Sequence, residues 1–263
     1  MAVWEDGLAK CVWLNWLDPQ TRDVDFMNYR MTTRQGGTSH PPFDSFNLGD
    51  HVGDSPDAVA TNRQLLQKQL GVRPVFLKQI HGTRCIQIDA DTTDGLEADA
   101  VVTTDPRVAC TVMVADCLPV LLWNVSGSAV GAAHAGWRGF VGTGGVDVLQ
   151  SSVDALRGLS MPHEPLHAWF GACIGVEHFE VGAEVAVHFG AAFKRPGLED
   201  KWLVDLAGAA RQRLLDLGVV AVGGNDGSSP WCTVQNEVDC FSHRRDAKNW
   251  GSTGRMAASI WKD

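Results

Sequence analysis

The sequence is most informative first for what it lacks. No run of about 18 apolar residues occurs in its 263 positions, so no transmembrane span is expected. No basic tract accompanies the net charge of −9, which argues against general nucleic-acid binding, since that depends on neutralising phosphates. The seven cysteines form no CxxC pair and are odd in number, so neither a disulfide framework nor a zinc ribbon is indicated, and most should be reduced and buried. The cytidine and tRNA deaminase signature, HxE followed by PCxxC, is missing too. The opening MAVWEDGLAKCVWLNW carries acids and tryptophans where a signal peptide would have a basic start and an uninterrupted apolar run, so a cytoplasmic location is expected. Without internal repeat, low-complexity tract or linker, residues 1–263 are read as one domain.

What is present centres on Ala115 to Gly139, ADCLPVLLWNVSGSAVGAAHAGWRG. Two apolar runs, Val120 to Trp123 and Ala129 to Ala133, flank the turn Val125 to Ser128 and read as paired strands. Such a hairpin can place Cys117, before the first strand, beside His134, at the end of the second. With a third donor from elsewhere these would form a zinc site with one open position.

The blocks TTRQGG, FNLGDHVGD, KQIHG, ADAVVTT, ADCLPVLL, HAGWRG and FSHRRD follow one another between Thr32 and Asp246. In that order they resemble the YfiH family, also called the polyphenol oxidase or laccase-domain family, which includes the peptidoglycan editing factor and zinc-dependent purine nucleoside phosphorylases. The resemblance implies a layered α/β sandwich with a strand-rich interior and outer helices. It also implies metal ligands at His81, Cys117 and His134, the same three residues being catalytic. Two departures stand out: VEHFEVG replaces a segment close to PCCYEVG, and His243 stands where the family commonly has Tyr. The first bears on substrate contacts near Glu177 to Phe179.

Along the chain, Phe26 to Thr33 reads as a strand leading into the turn Arg34 to Gly37, and 38–54 as a long ordered loop. Ser55-Pro56-Asp57 begins a helix that ends at about Leu70 before Gly71, with Val59, Leu66 and Leu70 buried and Asn62-Arg63 turned partly aside. Strands are expected at Val75 to Ile80, delivering His81, and at Cys85 to Ile88, Ala100 to Thr104, Val108 to Val114, Leu166 to Ile174 and Met256 to Trp261. Helices are expected at Val141 to Leu156, Phe179 to Phe193 and Leu206 to Leu217. The glycine-rich start of the first of these could hold an anion, with Arg138 adding charge.

Three protein ligands and an open fourth position make a zinc catalytic, because the cation lowers the pKa of bound water towards about 7. The resemblance implies phosphorolysis of adenosine, inosine and S-methyl-5'-thioadenosine, with adenosine deamination. Arg34, Asn47, Arg138 and Arg244 are candidates for binding substrate or phosphate. Asp116, next to a ligand, serves either as acid/base or to orient a histidine. Alternatives are hydrolysis of UDP-MurNAc-L-Ser, by the metal or by Cys117 with His134 as base, and copper (Cu2+) dependent phenol oxidation, for which one His/Cys/His set is too few ligands. A structural zinc completed by Cys232 or His243 is the non-enzymatic reading.

Overall fold

The structure is a computed structural model and describes residues 27–263; the N-terminal segment from Met1, Cys11 included, and the first residue of the expected opening strand, Phe26, lie outside the described residues. Thirteen strands and six α-helices occur among those residues.

In chain order they are β1 (Met27–Met31), α1 (Pro56–Leu70), β2 (Arg73–Phe76), β3 (Cys85–Gln87), β4 (Ala100–Thr103), β5 (Val108–Val114), β6 (Leu118–Asn124) and β7 (Val130–Ala135). There follow α2 (Trp137–Val141), α3 (Val148–Gly158), β8 (Leu166–Phe170), β9 (Glu180–Val181), α4 (Ala183–Ala186), β10 (Lys194–Pro196) and β11 (Trp202–Val204). The last are α5 (Leu206–Asp216), β12 (Val219–Gly224), α6 (His243–Trp250) and β13 (Met256–Lys262).

Two sheets dominate, of order β1-β13-β5-β2 and β12-β8-β6-β7-β4-β3, with a small third sheet β10-β11-β9. Side chains alternate across each strand, and here both faces are covered. From β5, Val108, Cys110, Val112 and Val114 meet Leu121 and Trp123 of β6 and Val130 and Ala132 of β7 in a core between the two sheets. The opposite faces carry helices. Val120, Leu122 and Ala133 pack with Val153 and Leu156 of α3 and Ala210 and Leu214 of α5, while Ala109 and Met113 pack with Leu66 and Leu70 of α1. The architecture is therefore helix, sheet, sheet, helix, the layered α/β sandwich expected. Burial on both faces explains why β5, β6 and β7 read as near-continuous apolar runs.

Helix α1 begins and ends where the sequence puts it, with Ser55 as N-cap, Pro56 in the first turn and Gly71 at φ 76° closing it. Asn62 corrects one expectation: it is not turned aside but fully buried. Its Nδ2 donates to Ser39 Oγ, Ser45 O and Asn47 O at 3.0, 3.2 and 2.8 Å, and its Oδ1 accepts from Thr38 N at 2.9 Å. One amide thus ties the loop 38–54 to α1, satisfying backbone groups that no strand reaches.

Other corrections have local causes. The helix expected over Val141 to Leu156 is split, because Gly142, Gly144 and Gly145 lie at φ 75°, 65° and 84° and Asp147 starts α3 afresh. The Asp147 carboxylate accepts from Gln150 N and from Arg213 Nε, both at 2.8 Å, so that helix start already has its anion. The helix expected over Phe179 to Phe193 is reduced to α4 and a 3-10 turn at Ala191–Phe193: Glu180 and Val181 are drawn into pairing with β11, and Gly182 precedes α4 as its N-cap. Strand β8 stops at Phe170 because Gly171 is squeezed between Met31 and Pro119, where a Cβ would lie 2.6 Å from Met31 Sδ.

Replacing Asn62 by Ala leaves several buried backbone groups unpaired, and the unfolding free energy should fall by about 2–4 kcal/mol in urea titration with the m-value unchanged.

Candidate metal centre and cavity

Leu118 of β6 pairs with Ala135 of β7 and Pro119 with His134, so the hairpin sets Cys117 beside His134 as its sequence suggests. His81 comes from a different part of the chain. The strand expected at Val75 to Ile80 ends at Phe76, and the segment beyond is held by Gln79, whose side chain donates to Met113 O and accepts from Met113 N at 2.8 and 2.7 Å. These bonds imitate a strand pair and free the next residues to turn. His81 lies at φ 59° and Asp116 at φ 89°, left-handed conformations that cost a non-glycine residue about 1–3 kcal/mol each unless their surroundings fix them.

Asp99 fixes the first. Its Oδ2 accepts from the amides of Ile80 and Gly82 at 3.1 and 2.7 Å, and its Oδ1 from the His81 amide at 2.9 Å and from His134 Nδ1 at 2.8 Å. The carboxylate is wholly buried, and its pKa is lowered: burial acts to raise it, but His134 and the backbone donors outweigh burial. Asp116 does not orient a histidine. It accepts from Thr233 Oγ1 at 2.5 Å and from the Arg244 amide at 2.6 Å, seating α6 against the site.

The donor atoms of His81, Cys117 and His134 lie within 4.8 Å of one another, and no other such group of three occurs among the described residues. Cys117 Sγ is 3.8 Å from His81 Nε2, and the two imidazoles meet edge to face with centroids 4.8 Å apart. Burial acts to raise the Cys117 thiol, but His134 and His81 overcome it and hold it down at about 6. Burial likewise opposes the charged form of His134, yet Cys117 and Asp99 push it up to about 9. The contrast with Cys85 and Cys240, which burial pushes up to about 12, marks Cys117 as a thiolate. A preformed thiolate and a His134 ring whose Nδ1 faces Asp99, leaving Nε2 for a ligand, suit a metal cation. The residues fit the metal that the sequence implies.

Gly136 makes this approach possible. A Cβ there would lie 2.9 Å from both Cys117 Sγ and His81 Cδ2.

The three donors open into a cavity of about 560 Å³. Apolar lining comes from Ile174, Phe179, Val181, Val185 and Leu206; polar and charged lining includes His51, Gln79, Arg255, Arg138, Glu180, Glu184, His243 and Arg244, with Trp137 and Met113 among the rest. Of the four candidate substrate-binding residues, Arg138 and Arg244 reach the cavity, while Arg34 and Asn47 do not. Arg34 Nε donates to Asp44 O at 3.0 Å and its guanidinium lies over Phe241, facing a separate cleft with Asp44 and Glu237. Asn47 is fully buried, bonded to Gly49, Asp54 and the Arg255 amide. Arg255, His51 and Asp99 went unassigned in the sequence. The clue to Asp99 was a lone carboxylate directly before the apolar strand AVVT.

A helix-flanked pair of sheets carrying one open His/Cys/His centre defines an α/β protein with a single three-donor group that could hold a metal ion among the described residues. The chain belongs to the family described as multi-copper polyphenol oxidoreductase laccase, whose model matches residues 28–263. It is 44% identical over 241 residues to the Haemophilus influenzae protein named purine nucleoside phosphorylase, covering 88% of this chain and 92% of that one. Identity to purine nucleoside phosphorylase YfiH of Escherichia coli is 42% over 239 residues, or 88% of this chain and 91% of that one. The crystal structure of a Neisseria meningitidis DUF152 protein matches with TM-score 0.79 at 41% identity, over 90% of this chain and 94% of that one. That of Bacillus licheniformis YfiH matches with TM-score 0.78 at 28% identity, over 90% and 93%.

Two outcomes test the site. Gly136→Ala, which wedges apart Cys117 and His81, should reduce bound metal at least about tenfold by elemental analysis while the far-UV circular dichroism is retained. The second concerns the seat of α6, where Asp246 accepts from Arg245 Nε, the Ser242 amide and Thr253 Oγ1 at 2.6, 3.1 and 2.9 Å. Burial acts to raise the Asp246 pKa, but these donors outweigh it and lower it. A depressed carboxylate contributes stability above its unfolded value of about 3.9 and loses it as pH falls through the folded value. Asp246→Asn should therefore be less stable than the parent at pH 7, and the gap should close below about pH 4 in denaturant titrations.

Proposed function

We propose that the chain is a zinc-dependent purine nucleoside phosphorylase, cleaving adenosine, inosine and S-methyl-5'-thioadenosine, and that it also deaminates adenosine. The observation that carries this reading is the cavity itself, in which the His81, Cys117 and His134 donors share one pocket with apolar side chains. Two imidazoles and one thiolate are borderline-to-soft donors that suit zinc, and copper is the alternative ion. A divalent cation held by these three would act as a Lewis acid towards groups brought to its open face.

The protein's own groups do the rest. Ile174, Phe179, Val181, Val185 and Leu206 would bury a flat purine ring, while Glu180 and Glu184 offer acceptors to hydroxyl or amino groups. Arg138, stacked over Trp137 with its guanidinium 4.3 Å from the ring centroid, and Arg244 supply positive charge at the cavity lining. Asp99 keeps His134 and the His81 turn in place throughout, so little reorganisation accompanies reaction. In phosphorolysis a phosphate oxygen bonds to C1′, the C1′–N bond breaks with its electron pair moving to the purine, and the proton of HPO4(2−) ends on the released base. In deamination, water replaces the amino group at C6 and ammonia leaves.

The thiolate of Cys117 beside His134 favours a second reading, hydrolysis of the amide of UDP-MurNAc-L-Ser with release of serine. Both readings take the chain as one catalytic domain working on a small molecule. No helix among the described residues is long and apolar enough to cross a membrane, and the free, buried cysteines favour the reducing cytoplasm as its location.

Purified zinc-loaded protein incubated with adenosine should release adenine only when phosphate is added, and some inosine without it. Cys117→Ala should lose both metal and turnover by about 10³-fold or more. Serine release from UDP-MurNAc-L-Ser without any nucleoside cleavage would replace the phosphorylase by the amidase, and a fully active, metal-free Cys117→Ala protein would remove both.

A further inference from the structure

The polar lining of the cavity contains a cation to which the reaction above gives no part. Arg255 lines the cavity from the turn before β13. Its Nη1 donates to Thr253 O and Gly254 O at 2.9 and 3.1 Å, and no carboxylate among the described residues forms an ion pair with it. Burial pulls its pKa below the ordinary value, with the negative charge of Cys117 and Asp116 acting the other way. A guanidinium partly withdrawn from water and held in no ion pair gains from a bound anion.

The side chain is also held ready. Asn47 Oδ1 accepts from the Arg255 amide at 2.8 Å, and Gly49 lies so close that a Cβ there would be 2.7 Å from Arg255 Cγ. The loop 38–54 thus clamps both backbone and stem, leaving Nε and Nη2 without a protein partner among the described residues. His51, on the same loop, faces the same space: after burial, the charge of Arg255 is the largest influence lowering its pKa. Asp50, the one carboxylate beside it, is engaged by Arg63 at 3.3 Å and by His51 at 3.4 Å. Of the remaining arginines at the cavity, Arg138 lies over the Trp137 ring and Arg244 Nη1 donates to His178 O and Glu180 O, whereas Arg255 is the one clamped by the loop 38–54.

We propose that Arg255, assisted by His51, is the subsite for phosphate oxygens in this cavity and holds the attacking phosphate next to the metal centre. This deepens, and rests on, the phosphorylase reading. The planar guanidinium offers two donors to two phosphate oxygens and neutralises charge, while HPO4(2−) delivers its oxygen to C1′ and its proton to the departing base. The role foreseen for Arg34 and Asn47 is redistributed: Asn47 acts through Arg255, and Arg34 lies elsewhere.

The test measures KM for phosphate and for adenosine separately in zinc-loaded wild type, Arg255→Met, Arg255→Lys and His51→Ala, alongside the rise in melting temperature with inorganic phosphate. Arg255→Met should raise the phosphate KM about tenfold to a hundredfold, with adenosine KM changed less than about twofold, and should lose the phosphate-induced shift. Arg255→Lys should recover part of the loss, and His51→Ala, altered at an exposed side chain, should show a smaller change of the same kind. An unchanged phosphate KM in Arg255→Lys and His51→Ala overturns the assignment even if Arg255→Met does not fold; equal increases in both KM values overturn it as well. If wild type cleaves no nucleoside, the phosphorylase reading fails separately. The subsite then stands only if phosphate raises the melting temperature through Arg255 and UDP-MurNAc-L-Ser competes for it, which assigns those oxygens to the sugar nucleotide.

Discussion

Everything at the centre depends on one buried carboxylate. Asp99 sits opposite His134 across the β4–β7 ladder and receives four donors, three from the turn that carries His81 and one from the His134 ring. Two of the three candidate donors, from chain segments more than fifty residues apart, are thereby fixed to the same pair of oxygens. The arrangement is electrostatic as well as steric. A negative charge behind His134 favours its protonated or metal-bound state, and positive charge on His134 favours the thiolate of Cys117. Such a chain of mutual bias, set in a low-dielectric interior, makes the centre receptive to a cation before any cation arrives.

The two sheets supply the rigidity that this requires. Cys117 and His134 flank adjacent strands whose both faces are packed, so neither can shift without disturbing the core. The opposite side of the cavity is built from irregular chain, comprising the loop 38–54, the β9–α4 segment and the entry to α6. Here bonds donated by Asn62 to Asn47 O and accepted by Asn47 from the Arg255 amide and by Asp116 from the Arg244 amide take the place of a ladder. A firm floor of sheet residues under walls formed by loops is a common division of labour, since loops can vary in chemistry without loss of the fold.

The sequence made the strand-rich interior readable because β5, β6 and β7 are apolar throughout, and the β6–β7 hairpin placed Cys117 beside His134 from spacing alone. His81 was legible only through the KQIHG resemblance, as nothing in its neighbourhood reveals a turn fixed by an acid eighteen residues later. The errors share a cause. The helices expected over Val141 to Leu156 and Phe179 to Phe193 were judged on periodicity, and glycines with a capping aspartate or a remote strand partner overrode it. Asn62 reads as turned partly aside from the buried stripe because its partners lie in a loop with no pattern of its own. Arg255 and Asn47 were separable only in space, one reaching the cavity and the other supporting it.

That pair spans 208 positions, and the contact joins the opening loop to the segment before β13, which pairs with β1 and β5 in the four-stranded sheet. Closing so long an interval costs entropy that is repaid only when both partners are already ordered. The compartment is thereby latched by the tail of the sequence, since the Arg255 amide on Asn47 and the Arg244 amide on Asp116 both reach it from the C-terminal segment.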